Sequence, residues 1–100
     1  MKTTILEIMD DNDGEYIFHP ITVFDSRSSA ISAAWKRHRD FIESKGGKDF
    51  SDDECLNVHE DDFIKNINEN NMVITASEDM NWRRIYHLIQ IEVDLGITAL

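Results

Sequence analysis

A long amphipathic helix pattern in the first half of the chain constrains its fold more than any other feature. Between residues 30 and 42, apolar side chains recur at the three- and four-residue spacing of one helix face, and the opposite face is polar and charged. Gly46 and Gly47 favour a helix end shortly after this stretch. A helix of about five turns with one apolar face must bury that face against another layer. The remaining residues therefore have to supply that layer.

Alternating sequence before the helix predicts the first strands of that layer. Thr3 to Met9 alternates in polarity, and the following Asp10–Gly14 run favours a hairpin turn, because Asp-Gly tolerates positive φ angles. The next run, Glu15 to Phe24, also alternates, but Pro20 cannot donate a hydrogen bond to a neighbouring strand. We therefore expect either one edge strand here or two short strands that separate near His19 and Pro20.

The second half of the chain predicts one or two short helices and two further strands. Ser51 to Glu54 fits a capping box at a helix start. A second helix start lies at His59, and asparagines after Ile67 favour its end. Met72–Ala76 and Trp82–Asp94 are rich in residues that favour strands.

The order of these elements, β-β-α-(α)-β-β, predicts an α+β fold. We expect a single domain, residues 1–100, in which an antiparallel sheet of about four strands carries one long and one or two short helices on one face. One alternate set of residues in the last strand is nearly all apolar, and we expect this set to face the core. Its members are Ile85, His87, Ile89, Ile91 and Val93.

Acidic residues are concentrated in the second half of the chain. The net charge is −10, and residues 51–100 hold eleven acids against three cations. Seven acids form a candidate partner-binding site that we call the acidic surface: Asp49, Asp52, Asp53, Glu54, Glu60, Asp61 and Asp62. Six of them fall at the two predicted helix starts, where negative charge stabilises the helix dipole. The alternative is a functional surface that docks on a basic groove.

The net charge also limits the classes of partner. It disfavours direct binding to nucleic acid and to anionic membranes, because both require Lys and Arg contacts. It permits a basic protein partner, a divalent cation or simple solubility. The single cysteine, Cys55, excludes an intramolecular disulfide, and no stretch is long and apolar enough for a membrane span. We therefore expect a cytoplasmic protein.

No motif predicts a catalytic residue, a metal or a cofactor. The acids of Asp10–Gly14 do not have the spacing of an EF-hand loop. Cys55 and His59 would share one face of a helix, but two ligands fall short of a zinc site and the nearby acids disfavour a thiolate. Trp82, which precedes two arginines, is a candidate partner-binding residue, because Trp and Arg are frequent in binding hot spots. Alternatively, Trp82 is a buried residue at the start of the last strand.

The acidic run from Asp49 to Asp62, the small size and the strong acidity resemble small phage-encoded inhibitors of host defence, such as anti-CRISPR proteins and DNA mimics. The resemblance implies a non-enzymatic protein that places its acidic surface on the nucleic-acid-binding site of a basic host or defence protein. Two alternatives stay open. One is a bacterial cytoplasmic or immunity protein that forms a homodimer through the edge at the Pro20 strand or at the last strand. The other is a metal site at Cys55 and His59.

Overall fold

The computed structural model of the chain describes residues 2–44, 59–76 and 82–92. In this part of the chain, five antiparallel strands form one sheet and two helices pack on one of its faces, so the predicted α+β class is confirmed. The elements are β1 (Lys2–Asn12), β2 (Glu15–Phe18), β3 (Thr22–Phe24), α1 (Arg27–Ser44), α2 (Glu60–Asn70), β4 (Met72–Ala76) and β5 (Trp82–Glu92). The predicted helix start at Ser51 lies outside the described residues.

The sheet is organised around β1 and β5. These strands pair over their whole length, from Lys2 opposite Glu92 to Asn12 opposite Trp82. β4 pairs with the other side of β5, and β2 and β3 share the other side of β1. β5 is therefore an inner strand, and the expectation that the last strand leaves a free edge is wrong. The two strands on either side of Pro20, β2 and β3, do lie at an edge of the sheet.

The hairpin between β1 and β2 has the predicted Asp-Gly turn. Asp13 and Gly14 have φ angles of 51° and 91°, which suit a two-residue turn between twisted strands. The Gly14 N–H donates to Oδ1 of Asp11 at 3.0 Å and closes the turn. Pro20 separates β2 from β3, so the alternative with two short strands is confirmed.

The first strand is longer than the alternation predicts. It continues to Asn12, past the predicted end at Met9. Asp10 and Asp11, which are residue types that favour turns, lie inside the strand opposite two arginines of β5. Each forms an ion pair with the arginine opposite, and this pairing extends the strand by three residues.

The core lies between the helices and one face of the sheet. Side chains of both helices meet those of β1, β4 and β5 there. The buried apolar residues of this cluster are Leu6, Ile8, Ala30, Ala34, Phe63, Ile67, Val73, Tyr86 and Leu88. The rings of Phe63 and Tyr86 meet edge to face at a centroid distance of 5.1 Å, a favourable aromatic geometry.

The face of β5 that packs against this core is the opposite of the predicted face. Tyr86 and Leu88 are buried, whereas His87 is exposed and Ile91 is 41% exposed. The register explains the result, because Leu88 lies opposite Leu6, the fully buried residue of β1. Both faces of β5 carry large apolar residues, so alternation alone does not identify the buried face.

The helices are fixed at their ends by polar contacts. Ser26 caps α1, because its Oγ accepts a hydrogen bond from the Ser29 N–H at 3.1 Å. α2 ends as predicted at the asparagines, with Asn71 in the left-handed conformation at φ 58°. The Arg27 guanidinium at the start of α1 donates to the carbonyl of Asn68 at 2.7 Å and to Oδ1 of Asn71 at 2.8 Å. One arginine thus joins the start of α1 to the end of α2.

We expect Phe63→Ala to lower the free energy of unfolding by about 3–5 kcal/mol, because it leaves a cavity at the centre of the core. The control Ile21→Ala shortens a side chain that is 57% exposed and should change this free energy by less than about 0.5 kcal/mol. Urea unfolding of both variants measures the difference. Equal losses would contradict this position of the core.

Candidate functional site

A buried ion pair joins the two central strands. Nε of Arg84 donates to Oδ1 of Asp10 at 2.6 Å, and Nη2 donates to Oδ2 at 3.0 Å. Each of the two side chains is only 9% exposed. His19 adds a third contact, because its Nε2 donates to Oδ2 of Asp10 at 2.7 Å. A bidentate, buried pair of this kind belongs to the strongest class of hydrogen-bonded charges.

The surroundings keep both members of the pair charged. Burial alone would raise the pKa of Asp10, but hydrogen bonds from Arg84 and His19 outweigh it and hold that pKa below its ordinary value. Burial would lower the pKa of Arg84, and the hydrogen bond to Asp10 reverses this effect. The guanidinium of Arg84 also lies 3.9 Å from the centre of the Phe41 ring, a cation–π contact.

Hydrogen bonds connect Arg84 to Tyr86 and His38 in the aromatic core. Nη1 of Arg84 donates to Oη of Tyr86 at 3.5 Å, and this oxygen lies 3.1 Å from Nδ1 of His38. Burial raises the pKa of Tyr86 to about 12. Burial, with the charge of Arg84, lowers the pKa of His38 to about 4. Nε2 of His38 has no hydrogen-bond partner among the described residues, so His38 is a neutral imidazole in the core.

An open cleft of about 450 Å³ lies beside the ion pair, between α1 and the edge formed by β2 and β3. Its lining residues are Ile8, His19, Pro20, Thr22, Arg37, Asp40, Phe41 and Arg84. The Asp10–His19 contact has the form of a general base with an orienting carboxylate. No serine or cysteine is among the lining residues described, and Thr22 Oγ1 accepts a hydrogen bond from Arg37 at 2.8 Å. The polar groups of the cleft therefore chiefly bind one another.

In the described chain, neither helix covers the opposite face of the sheet, which we call the open face. The register sets two apolar rows across it. One row is Phe18, Met9, Ile85 and Ile74, and the other is Val23, Ile5 and Ile89. A row of Glu7, His87 and Met72 lies between them, and a row of Tyr16, Asp11, Arg83 and Ala76 lies beyond the first.

Charges on the open face compensate one another. Arg83 donates to Asp11, and this hydrogen bond holds the pKa of Asp11 below its ordinary value. Nδ1 of His87 lies 3.7 Å from Oε1 of Glu7. Both acids stand on β1, and both of their partners stand on β5. Arg83 thus offsets Asp11, and with His counted as neutral the open face keeps one negative charge, on Glu7, out of the net charge of −10.

Three residues of the acidic surface are described, and they lie together. Glu60, Asp61 and Asp62 are exposed in the first turn of α2. Within the ranges that the structure describes, none of them forms an ion pair. The N-cap residue, His59, makes no side-chain hydrogen bond to the helix, so these acids supply the negative charge that suits the helix start.

Most of the other predicted site residues lie beyond the part of the chain that the structure describes. Asp49, Asp52, Asp53 and Glu54, and with them Cys55, fall outside the described residues. Trp82 begins β5, where its backbone is opposite Asn12. Among the described residues, no group of three or more His, Cys, Asp or Glu is placed to hold a metal ion. No described helix is long and apolar enough to cross a membrane.

Comparison with known proteins gives no relative. The chain matches no protein-family model, no curated protein and no solved structure. Its function must be argued from its own residues.

Sequence reasoning missed the ion pairs between the central strands, although the chain contains a signal for them. Adjacent acids, Asp10 and Asp11, and adjacent arginines, Arg83 and Arg84, flank two segments that alternate as strands. Opposite charges that face each other across antiparallel strands stabilise their pairing. The two doublets therefore indicate which strands are neighbours and in which register.

We expect Asp10→Asn to lower the free energy of unfolding by about 3–5 kcal/mol, because it leaves the Arg84 charge buried without its partner. The double variant Asp10→Leu/Arg84→Met should cost less than this single substitution, because no buried charge remains. Urea unfolding of the variants tests the expectation. A double variant that loses the sum of the two single losses would contradict it.

We expect stability to fall as the pH drops from 6.5 to about 4, by up to about 3 kcal/mol. Over this range the unfolded chain takes up a proton on His38 that the folded chain does not bind. His38→Gln should remove this loss while both proteins still lose stability below pH 3.8, where Asp10 begins to be protonated in the unfolded chain. Urea midpoints across the pH range measure both effects. An identical slope in the variant would rule out His38 as the cause.

Proposed function

We propose that this chain is a non-enzymatic protein-binding module that docks its acidic surface on a basic, nucleic-acid-binding site of a host or defence protein. The observation that carries the proposal is the distribution of charge. Asp10 and Asp11 of the sheet are each paired with an arginine. Glu60, Asp61 and Asp62 are exposed and have no ion-pair partner among the residues described. The acids that remain free to meet a partner thus include a cluster at one helix start.

An electrostatic argument connects this cluster to its partner. Sites that bind nucleic acid are lined with Lys and Arg, which contact phosphates. Exposed carboxylates at consecutive positions offer such a site negative charge at high density. The net charge of −10 accelerates the approach to a basic protein and repels nucleic acid itself. Our proposal therefore includes no direct contact with DNA or RNA.

The cleft supports binding rather than catalysis. His19, Arg37 and Arg84 donate hydrogen bonds within the fold, and no serine or cysteine nucleophile is described beside His19. The resemblance to small phage-encoded inhibitors agrees with a binding role. We also propose a cytoplasmic location, because a lone cysteine, Cys55, suits a reducing compartment.

The proposal is tested with a panel of purified RNA-guided nuclease complexes, whose nucleic-acid channels are positively charged. We expect the chain to bind at least one complex, to compete with its target DNA, and to bind more weakly as salt rises. Asp61→Lys/Asp62→Lys should weaken this binding by about tenfold or more at low salt, and by less at high salt. Calorimetric titration at several salt concentrations measures these changes.

The control is Glu15→Lys/Glu69→Lys, which changes two exposed acids outside the acidic surface, one on β2 and one near the end of α2, and alters the net charge equally. It should weaken binding by no more than about threefold. Circular dichroism establishes that α2 is still folded in both variants. Equal weakening by the two variants would reduce the effect to net charge, and binding that both variants leave unchanged would contradict the proposed surface. If no complex in the panel binds, this class of partner is wrong.

A further inference from the structure

The open face carries an inference about a different part of the molecule from the acidic surface. We propose that the open face binds a second copy of this chain, so that two sheets pack face to face in a symmetric dimer. Phe18 is 74% exposed and Tyr16 is 59% exposed on this face, which neither described helix covers. Val23, Met72 and Ile91 of this face are exposed too, and its central apolar residues are half-buried: Ile5, Met9, Ile74, Ile85 and Ile89. An apolar face that remains partly exposed on a protein marks a contact surface.

The size of the open face matches what a dimer needs. β1 and β5 are each 11 residues long, and the shorter strands β2, β3 and β4 widen the sheet on either side of them. With about 3.3 Å per residue and about 4.8 Å between strands, the five strands present a face on the order of 500 Å². A specific interface buries at least about 500 Å² on each partner. The face is therefore large enough for a weak, concentration-dependent dimer.

Charge favours a second copy over a basic partner at this face. Two chains that each carry −10 repel one another over most of their surfaces. On the open face, Arg83 offsets Asp11 and one acid of β1, Glu7, remains, so the repulsion between copies is weak there. A basic partner would find little excess negative charge on the open face and would be attracted to the exposed acids elsewhere.

The positions of these charges also suit two-fold symmetry. Glu7 and Asp11 on β1 lie level with His87 and Arg83 on β5. Consider a two-fold axis that runs between the two facing sheets, parallel to the strands and midway between β1 and β5. It places β1 of one copy over β5 of the other, with residues at the same height along the strands facing each other. Glu7 then faces His87 of the partner subunit, and Asp11 faces Arg83 of the partner subunit. Each apolar row meets the same row, so the open face is complementary to itself.

Sedimentation equilibrium of the full chain, from about 1 to 300 μM, tests the proposal. We expect a concentration-dependent dimer. Phe18→Glu should weaken the dimer by about tenfold or more, because it places a charge in an apolar row. The matched control is Ile17→Glu, a neighbour in β2 that is 51% exposed and points to the other side of the sheet. It should change the dimer constant by no more than about twofold.

A second pair of variants tests the contact between copies directly. Glu7→Lys and His87→Glu change side chains that are 44% and 47% exposed. A dimer of either variant alone has no pair of opposite charges between the two copies at these positions. An equimolar mixture should associate more tightly than either variant alone, because the introduced lysine of one copy then faces the introduced glutamate of the other.

Three results would overturn the proposal. A wild-type chain that stays monomeric up to about 300 μM excludes the dimer and leaves the open face to another partner. Equal weakening by Phe18→Glu and Ile17→Glu, or a mixture that associates no more tightly than its components, excludes this face as the contact. None of these results bears on the acidic surface of α2, so the two proposals fail separately.

Discussion

The antiparallel pairing of β1 with β5 is the constraint on which the rest of the structure depends. It joins the start of the chain to its last described strand and fixes the register of every other strand. The buried pair of Asp10 and Arg84 is costly to desolvate and is tolerated only because both members are fully engaged. A shift of one residue would break this pair and turn one strand over, which would move either Leu6 or Tyr86 out of the core.

The parts of the fold that the sequence predicts are those decided by neighbouring residues. The Asp-Gly turn follows β1 and the asparagines end α2, because these residue types suit a particular backbone conformation. The same holds for Pro20, which divides the edge strand wherever that strand lies in the sheet.

The parts that sequence reasoning missed depend on residues far apart in the chain. The alternation of β5 indicated the wrong face, because the set that begins at Ile85 is the more apolar one, whereas Tyr86 and Leu88 of the other set are the buried residues. The choice between them is made by Leu6 of β1 and Phe63 of α2, which pack on Tyr86's face. The ion pairs and the open face follow from the same long-range register. For the candidate site, sequence identified the acids of α2 but not the compensation of charge on the sheet.

The order of the strands has a consequence for synthesis of the protein. β1 leaves the ribosome well before its central partner β5, which lies at least 70 positions later in the chain. The hairpin with β2 needs no residue beyond Phe18, but it pairs only one edge of β1, so the other edge lacks its partner until β5 is made. Asp10 and Asp11 stand on that waiting strand as unpaired charges, which oppose premature pairing with another nascent chain until the arginines of β5 arrive.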